Sequence, residues 1–282
     1  MIRLRRRRDA ASLGAFTGAK LQQRLLRLEG YFYDDGRRVD FKPKSRQIWS
    51  AAKATLRRET AGKCAYCEAD TAVVAHGDVE HFRPKDPYWW LAYCVDNYTF
   101  SCQVCNQVHK GNRFPVTGAR LKPPRMPATR PADAAKAAAL AERFCPDPVS
   151  TTDAALKRFF AGEHAHLPDP YLDDPERLFS WNAIEATQEV WLIARGRSAR
   201  AKAAVKAAEE VLGLNRSELL RLRYQRYEFL YTAALAFQEM DHDSPSAPKV
   251  LAQLRRQADD NQPFAAMSRH FLRTWGLLDP GH

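Results

Sequence analysis

The sequence predicts an α+β chain: a small metal-stapled core followed by a mainly helical second half. Three observations carry this expectation. Two CxxC pairs, Cys64/Cys67 and Cys102/Cys105, bracket short β-prone runs. A Pro-rich stretch, LKPPRMPATRP at 121–131, cannot continue a helix and marks a boundary. Beyond it, apolar residues recur at helical spacing almost to the end of the chain.

The first zone, 1–63, is basic. It holds seventeen Lys/Arg against six Asp/Glu, which accounts for the whole net charge of +11. An arm carrying Arg3, Arg5, Arg6, Arg7 and Arg8 would gain from counterion release on a phosphate backbone. A solubilising tail, or a face for an acidic protein, has the same composition. A helix is expected near 47–59, where Ile48, Trp49, Ala52 and Leu56 share one face behind Ser45 as a cap.

The second zone, 64–120, carries the chemistry. Each x₂ turn lets two sulfurs face one ion, so Cys64, Cys67, Cys102 and Cys105 can close a tetrahedral Zn²⁺ site. A four-Cys knuckle alone would read as a structural or recognition module. This one also encloses Glu80, His81, Asn97 and Asn106. A strand ending at His81, with a helix over 103–110 packed on it, would bring the Asn106 amide oxygen near Glu80. Two oxygen ligands with open positions suit Mg²⁺ or Mn²⁺ shared with a phosphate, and an unligated His81 could then act as general base. Trp89, Trp90 and Tyr93 could stack on bases, but so apolar a cluster is expected in the core.

In the third zone, 132–282, helices are expected at 133–144, 153–160, 183–212, 217–240, 248–259 and 263–275. Gly213 would cap one helix, and Asn215-x-x-Glu218 would start the next as a capping box. Asp173-Asp174-Pro175-Glu176 could form another metal site, and an acidic helix start explains it as well. Met267, Phe271 and Trp275 read as a buried face. His76 is expected at the surface, and His164, His166, His242, His270 and His282 have no partners at ligand spacing. No apolar run reaches transmembrane length, and no apolar stretch follows the basic N-terminus, so a membrane span and a secretory signal are not expected. With four of six cysteines in CxxC pairs, a reducing cytoplasmic setting is expected, with Cys94 and Cys145 as buried thiols.

The segment CAYC…DVEHFRPK…DNYTFSCQVCNQVHKGNRF resembles the HNH (ββα-metal) endonuclease superfamily, in the version whose core is stapled by a four-cysteine zinc site. The resemblance implies a ββα-metal core with His81 as general base. It implies Asn97 as the residue bracing the loop that orients this base, and Glu80 and Asn106 as metal ligands. The family's second helix histidine falls at Lys110, one residue after His109. The resemblance therefore implies either His109 as a third ligand or Lys110 as a phosphate contact. Lys85, Lys110 and Arg113 are candidates for holding the nucleic-acid backbone. FRPK, WWLAYC, KGNRFP and PFAAMSRHFLRTW together resemble an HNH subfamily linked to bacterial antiphage systems, in Septu defence and beside some retrons. That likeness implies DNA rather than RNA as substrate and a separate ATPase partner, with which the lack of a GxxxxGK[ST] in this chain is compatible. A zinc-dependent nucleic-acid-binding module that no longer cuts, or an assembly subunit, are the alternative classes.

Overall fold

The computed structural model describes residues 1–71, 73 and 75–279; His282 lies outside them. The architecture is α+β, with two separate two-stranded antiparallel sheets among helices.

The N-terminal arginines are the first surprise. Met1, Ile2 and Leu4 are buried, and the Leu4 amide donates to the Pro170 carbonyl at 2.7 Å. Arg6 lies between Glu59 at 2.7 Å and Asp96 at 3.5 Å, stacked 3.6 Å over the Tyr171 ring. Arg8 pairs with Asp96 at 3.2 Å and Asp153 at 3.1 Å. The alternation of apolar and basic residues threads this segment into the protein, so Arg6 and Arg8 neutralise internal carboxylates instead of reaching outward. Arg3, Arg5 and Arg7 remain exposed.

Helix α1 is one turn, Ala10–Leu13, capped by Asp9. Helix α2, Gly18–Asp34, buries Leu21, Leu25, Leu28 and Phe32 on one stripe. Phe32 stacks on Trp89 at 4.4 Å, and Trp89 meets Phe144 edge-on at 5.1 Å. Trp89, Trp90 and Tyr93 are therefore core residues, as their apolar character predicts. The helix expected near 47–59 begins as a tighter 3₁₀ turn, Ile48–Ala52, and continues as α3, Lys53–Glu59; no side chain caps it.

Strand β1, Asp78–His81, pairs antiparallel with β2, Tyr98–Ser101, placing His81 opposite Tyr98 and Asp78 opposite Ser101. After β2 the chain forms a seven-residue helix, Val104–Lys110, coiled as a π-helix. Helices α4, Ala134–Glu142, and α5, Asp153–Phe159, follow the extended connector, capped by Asp133 and Thr152.

The expected helix over 183–212 is only half right. Residues 179–194 form a hairpin of β3, Phe179–Ile184, and β4, Glu189–Ala194, turned by Gln188 with φ of 54°. Phe179 and Trp181 on one strand, and Val190 and Leu192 on the other, alternate inward with period two, and that pattern overrides helix propensity here. Helix α6, Ala199–Leu212, starts only at the Ser198 cap and ends at Gly213 in the left-handed region. The expected capping box is absent as well. The Asn215 side chain instead bonds both the amide and the carbonyl of Leu192, each at 3.0 Å, and so ties the turn to β4. Helices α7, Ser217–Glu239, α8, Ala247–Arg256, and α9, Ala265–Thr274, complete the fold close to their expected positions.

One apolar cluster runs through all zones, from Ile2 through Tyr66, Trp90 and Leu212 to Phe271. The zinc segment and the C-terminal helices thus share a core. Helix α6 packs on the helix after β2, which brings the second half of the chain against the cysteine pairs.

Candidate active site and metal centre

The four cysteine sulfurs lie within 4.8 Å of one another. Cys67 and Cys102 are 4.0 Å apart, close to the edge of a tetrahedron with Zn–S bonds of about 2.3 Å. Local backbone bonds shape each knuckle: Glu68 donates to the Cys64 carbonyl at 2.9 Å, and Cys105 donates to the Cys102 sulfur at 3.4 Å. The Ala65 amide ties the first knuckle to β2 through Phe100, also at 2.9 Å. Hydrogen bonding from Cys105, Cys64 and Cys67 pulls the Cys102 thiol far below the usual range, while burial drives Cys64 well above it. Four thiols this close cannot all ionise without a cation, and a Zn²⁺ ion resolves that conflict. The donor set fits structural zinc.

The second feature is a cleft of about 500 Å³ between β1, the helix after β2 and the segment around Trp49. Asp78, Glu80, His81 and Asn106 all line it, together with Lys53 and Lys85.

His81 is buried, edge-on to Trp49 at 5.0 Å and to Tyr98 at 4.9 Å. Its Nε2 lies 3.1 Å from the Ala92 carbonyl, which can only accept. Nε2 therefore carries the proton, and the Nδ1 lone pair is left as the basic atom. Burial, reinforced by the Lys85 charge, lowers its pKa to about 3, so the ring stays neutral.

Asn97, fully buried, clamps the loop that follows His81. Its Oδ1 accepts from the Arg83 amide at 2.8 Å, and its Nδ2 donates to the Arg83 carbonyl at 2.9 Å. Its own carbonyl accepts from Phe82 at 2.8 Å. The geometry is that of a brace.

Glu80 is buried with Oε1 2.5 Å from Lys110 Nζ. Burial raises its pKa, and the Lys110 charge opposes that rise. Asn106 Nδ2 donates to Asp78 Oδ2 at 3.1 Å, which leaves the amide oxygen as a ligand atom on the cleft. Gln107 Nε2 also bonds Asp78 Oδ2, at 2.8 Å. Asp78 was not among the residues expected at the site. Its signal is strand alternation, since Asp78 and Glu80 are two apart and share a face. Glu80, Asn106 and Asp78 offer hard oxygen donors of the type Mg²⁺ and Mn²⁺ take.

Three other expected residues stand elsewhere. His109 does not line the cleft: its ring packs against Gly213, at the end of α6. The π coil gives the reason. Bonded i→i+5, each residue advances less around the axis than in an α-helix, so i+4 returns to the face of Asn106 and i+3 falls short. Lys110 is the i+4 residue, but it is fully buried, holding Glu80 and the His81 carbonyl at 3.0 Å. It is placed to act on Glu80, not on a solvent-borne phosphate. Arg113 donates to the Glu210 carbonyl at 2.7 Å near the end of α6. Lys85 remains on the cleft, 5.4 Å from the Trp49 ring, and Lys53 at the start of α3 joins it there. His76 is exposed as expected, and Cys94 and Cys145 are buried.

No family model matches the chain. Over 79 residues, 23% of its length, the chain is 38% identical to the Septu protein PtuB of Bacillus mycoides (strain KBAB4). The aligned stretch spans about a quarter of that relative, 27% of its length. Among the described residues, no helix is long and apolar enough to cross a membrane.

Proposed function

We propose that this chain is a metal-dependent HNH endonuclease that hydrolyses DNA phosphodiester bonds. In this reading it is the nuclease effector of a Septu-type antiphage system and works with a separate ATPase. The observation that carries the chemistry is the state of His81: a neutral imidazole with Nε2–H committed to the Ala92 carbonyl, beside a set of oxygen donors in one cleft.

The residues divide the work. Glu80 and Asn106 would hold the divalent ion, and Asp78 fixes the Asn106 amide so that its oxygen is left for the cleft. A bound Mg²⁺ or Mn²⁺ supplies Lewis-acid polarisation of the phosphate and charge stabilisation at the leaving 3′ oxygen. His81 Nδ1 takes a proton from water, and the resulting hydroxide attacks the phosphorus in line with the scissile P–O3′ bond. The products carry a 5′ phosphate and a 3′ hydroxyl. Asn97 keeps the His81 loop fixed, so little reorganisation is needed when the proton moves. Lys53 and Lys85 flank the cleft as contacts for neighbouring phosphates. DNA is favoured over RNA by the family resemblance, and the partial likeness to a Septu protein supports the defence setting.

The test is cleavage of supercoiled plasmid by purified protein with Mg²⁺ or Mn²⁺, alone and with any ATPase encoded beside it, against His81→Ala. Loss of supercoiled DNA with wild type, and none with the variant, is the expected result. Equal DNA binding by both proteins with no cutting under any combination would replace this reading with a non-cleaving binding module.

A further inference from the structure

The zinc centre has neighbours that four ligands alone do not explain. A Zn²⁺ ion with four thiolates carries a net double negative charge, and this one lies among buried residues. Such a charge needs compensation from nearby cations or hydrogen-bond donors. One guanidinium group touches it and a second lies buried seven residues on, both from the C-terminal half. Arg216, just before α7, donates from Nη1 to the Cys105 sulfur at 3.7 Å and to the Gly213 carbonyl at 3.1 Å. Arg223, two turns along α7, is 3% exposed. Its Nη1 bonds Asn215 Oδ1 at 3.5 Å, and among the described residues no carboxylate lies within ion-pair distance of it. A buried arginine without an acid partner needs another source of negative charge. Beside Arg223 the largest attractive field is that of Cys67, followed by Glu68.

A steric contact joins the same surfaces. The His109 ring lies against Gly213, where a Cβ would collide with Cε1, so the helix after the second knuckle seats directly on the α6–α7 turn. Asn215 ties that turn to β4.

We infer that Arg216 and Arg223 are the counter-charges of the zinc tetrathiolate, and that zinc loading and docking of the C-terminal helices onto the nuclease core are therefore one linked equilibrium. The inference rests on zinc as the metal of the four-Cys site and not on the nuclease reading. Zinc in this arrangement does more than staple the knuckles. It organises the negative charge that offsets the half-buried Arg216 and the buried Arg223, and those arginines hold the start of α7 in place. Without the ion there is no tetrathiolate, and Arg223 is left buried with no carboxylate in ion-pair reach among the described residues.

Two measurements on the full-length protein test this. The first is zinc affinity by competition with a chromophoric chelator, for wild type, Arg216→Met, Arg223→Met and Arg216→Lys. Each Met variant is expected to hold zinc roughly tenfold or more weakly, and Arg216→Lys to recover part of the loss because it keeps the charge. The second needs no variant: amide hydrogen exchange of wild type before and after zinc removal. Faster exchange is expected at the start of α7 and around Gly213, with the middle of α8 changing less. Zinc affinity within twofold of wild type in both Met variants, with unchanged circular dichroism, would overturn the inference. So would unchanged exchange at α7 after zinc removal, even if a Met variant failed to fold. A wild-type protein that purifies without zinc and does not take it up would overturn both the inference and the zinc assignment beneath it.

Discussion

The two candidate metal positions take neighbouring residues, Cys105 and Asn106, from the same short helix and differ in almost every property. The cysteine site is enclosed, made of soft sulfur, and complete in itself, as a structural zinc site should be. The cleft offers hard oxygens from Glu80, Asn106 and Asp78, with open space beside them and a neutral histidine within reach. One site uses all its donors to fix the chain. In the proposed reading the other leaves positions for substrate and water, which the helix fixed by the first and presenting Asn106 makes possible.

If that division is right, breaking each site should give a different phenotype. Cys105→Ser should have the largest effect on the fold, a loss on the order of several kcal/mol of stability with a marked drop in melting temperature. A variant that melts like wild type would mean the sulfurs do not hold a structural metal. Asn106→Ala should do the reverse. Its stability should change by less than about 1 kcal/mol, while Mn²⁺ affinity, read by calorimetry, falls roughly tenfold or more. Asp78→Asn should give a weaker version, because its carboxylate orients the Asn106 amide. If Mn²⁺ binding survives Asn106→Ala unchanged, the cleft is not the oxygen-ligand site.

Acid should sharpen the contrast. The folded protein keeps His81 neutral to about pH 3, whereas the unfolded chain protonates it near its ordinary value of 6.5. Between those values the unfolded state binds more protons, so stability falls as pH drops through that window. The contribution is complete above about pH 6.5 and lost by about pH 3. Melting temperatures of wild type and His81→Phe across this range should converge at the acid end, and parallel curves would contradict the buried neutral ring. The smallest effect belongs to Lys85→Ala, which should weaken DNA binding and lower the salt dependence by about one counterion. An unchanged salt slope would remove Lys85 from the interface.

Much of this could be read before folding, and the failures have physical causes. CxxC spacing is a local constraint, so the four sulfur ligands were visible directly. Glu80, His81, Asn97 and Asn106 were legible as a pattern, and the structure gathers Glu80, His81 and Asn106 on one cleft with Asn97 behind it. His109 and Lys110 stand away from their expected roles because the segment is a π coil, whose placing of i+3 and i+4 depends on backbone bonding that residue types do not announce. Asp78 needed only the alternation rule. The helix expected over 183–212 covers most of the 179–194 hairpin, because the inward alternation of Phe179, Trp181, Val190 and Leu192 begins before residue 183. The arginines before position 9 illustrate a different limit: composition gives the charge but not the partner that meets it.

That last point bears on how the protein will behave in a column. An ion exchanger, like any polyanion, responds to the field that escapes the molecule and not to a count of basic residues. Arg6 and Arg8 send their field lines onto Glu59, Asp96 and Asp153 a few ångströms away, and Arg83 does the same with Glu163 at 2.7 Å. Such short dipoles fade within a Debye length. The chain should therefore elute from a cation exchanger earlier than an unstructured chain of the same +11 charge, and denaturant should remove the difference.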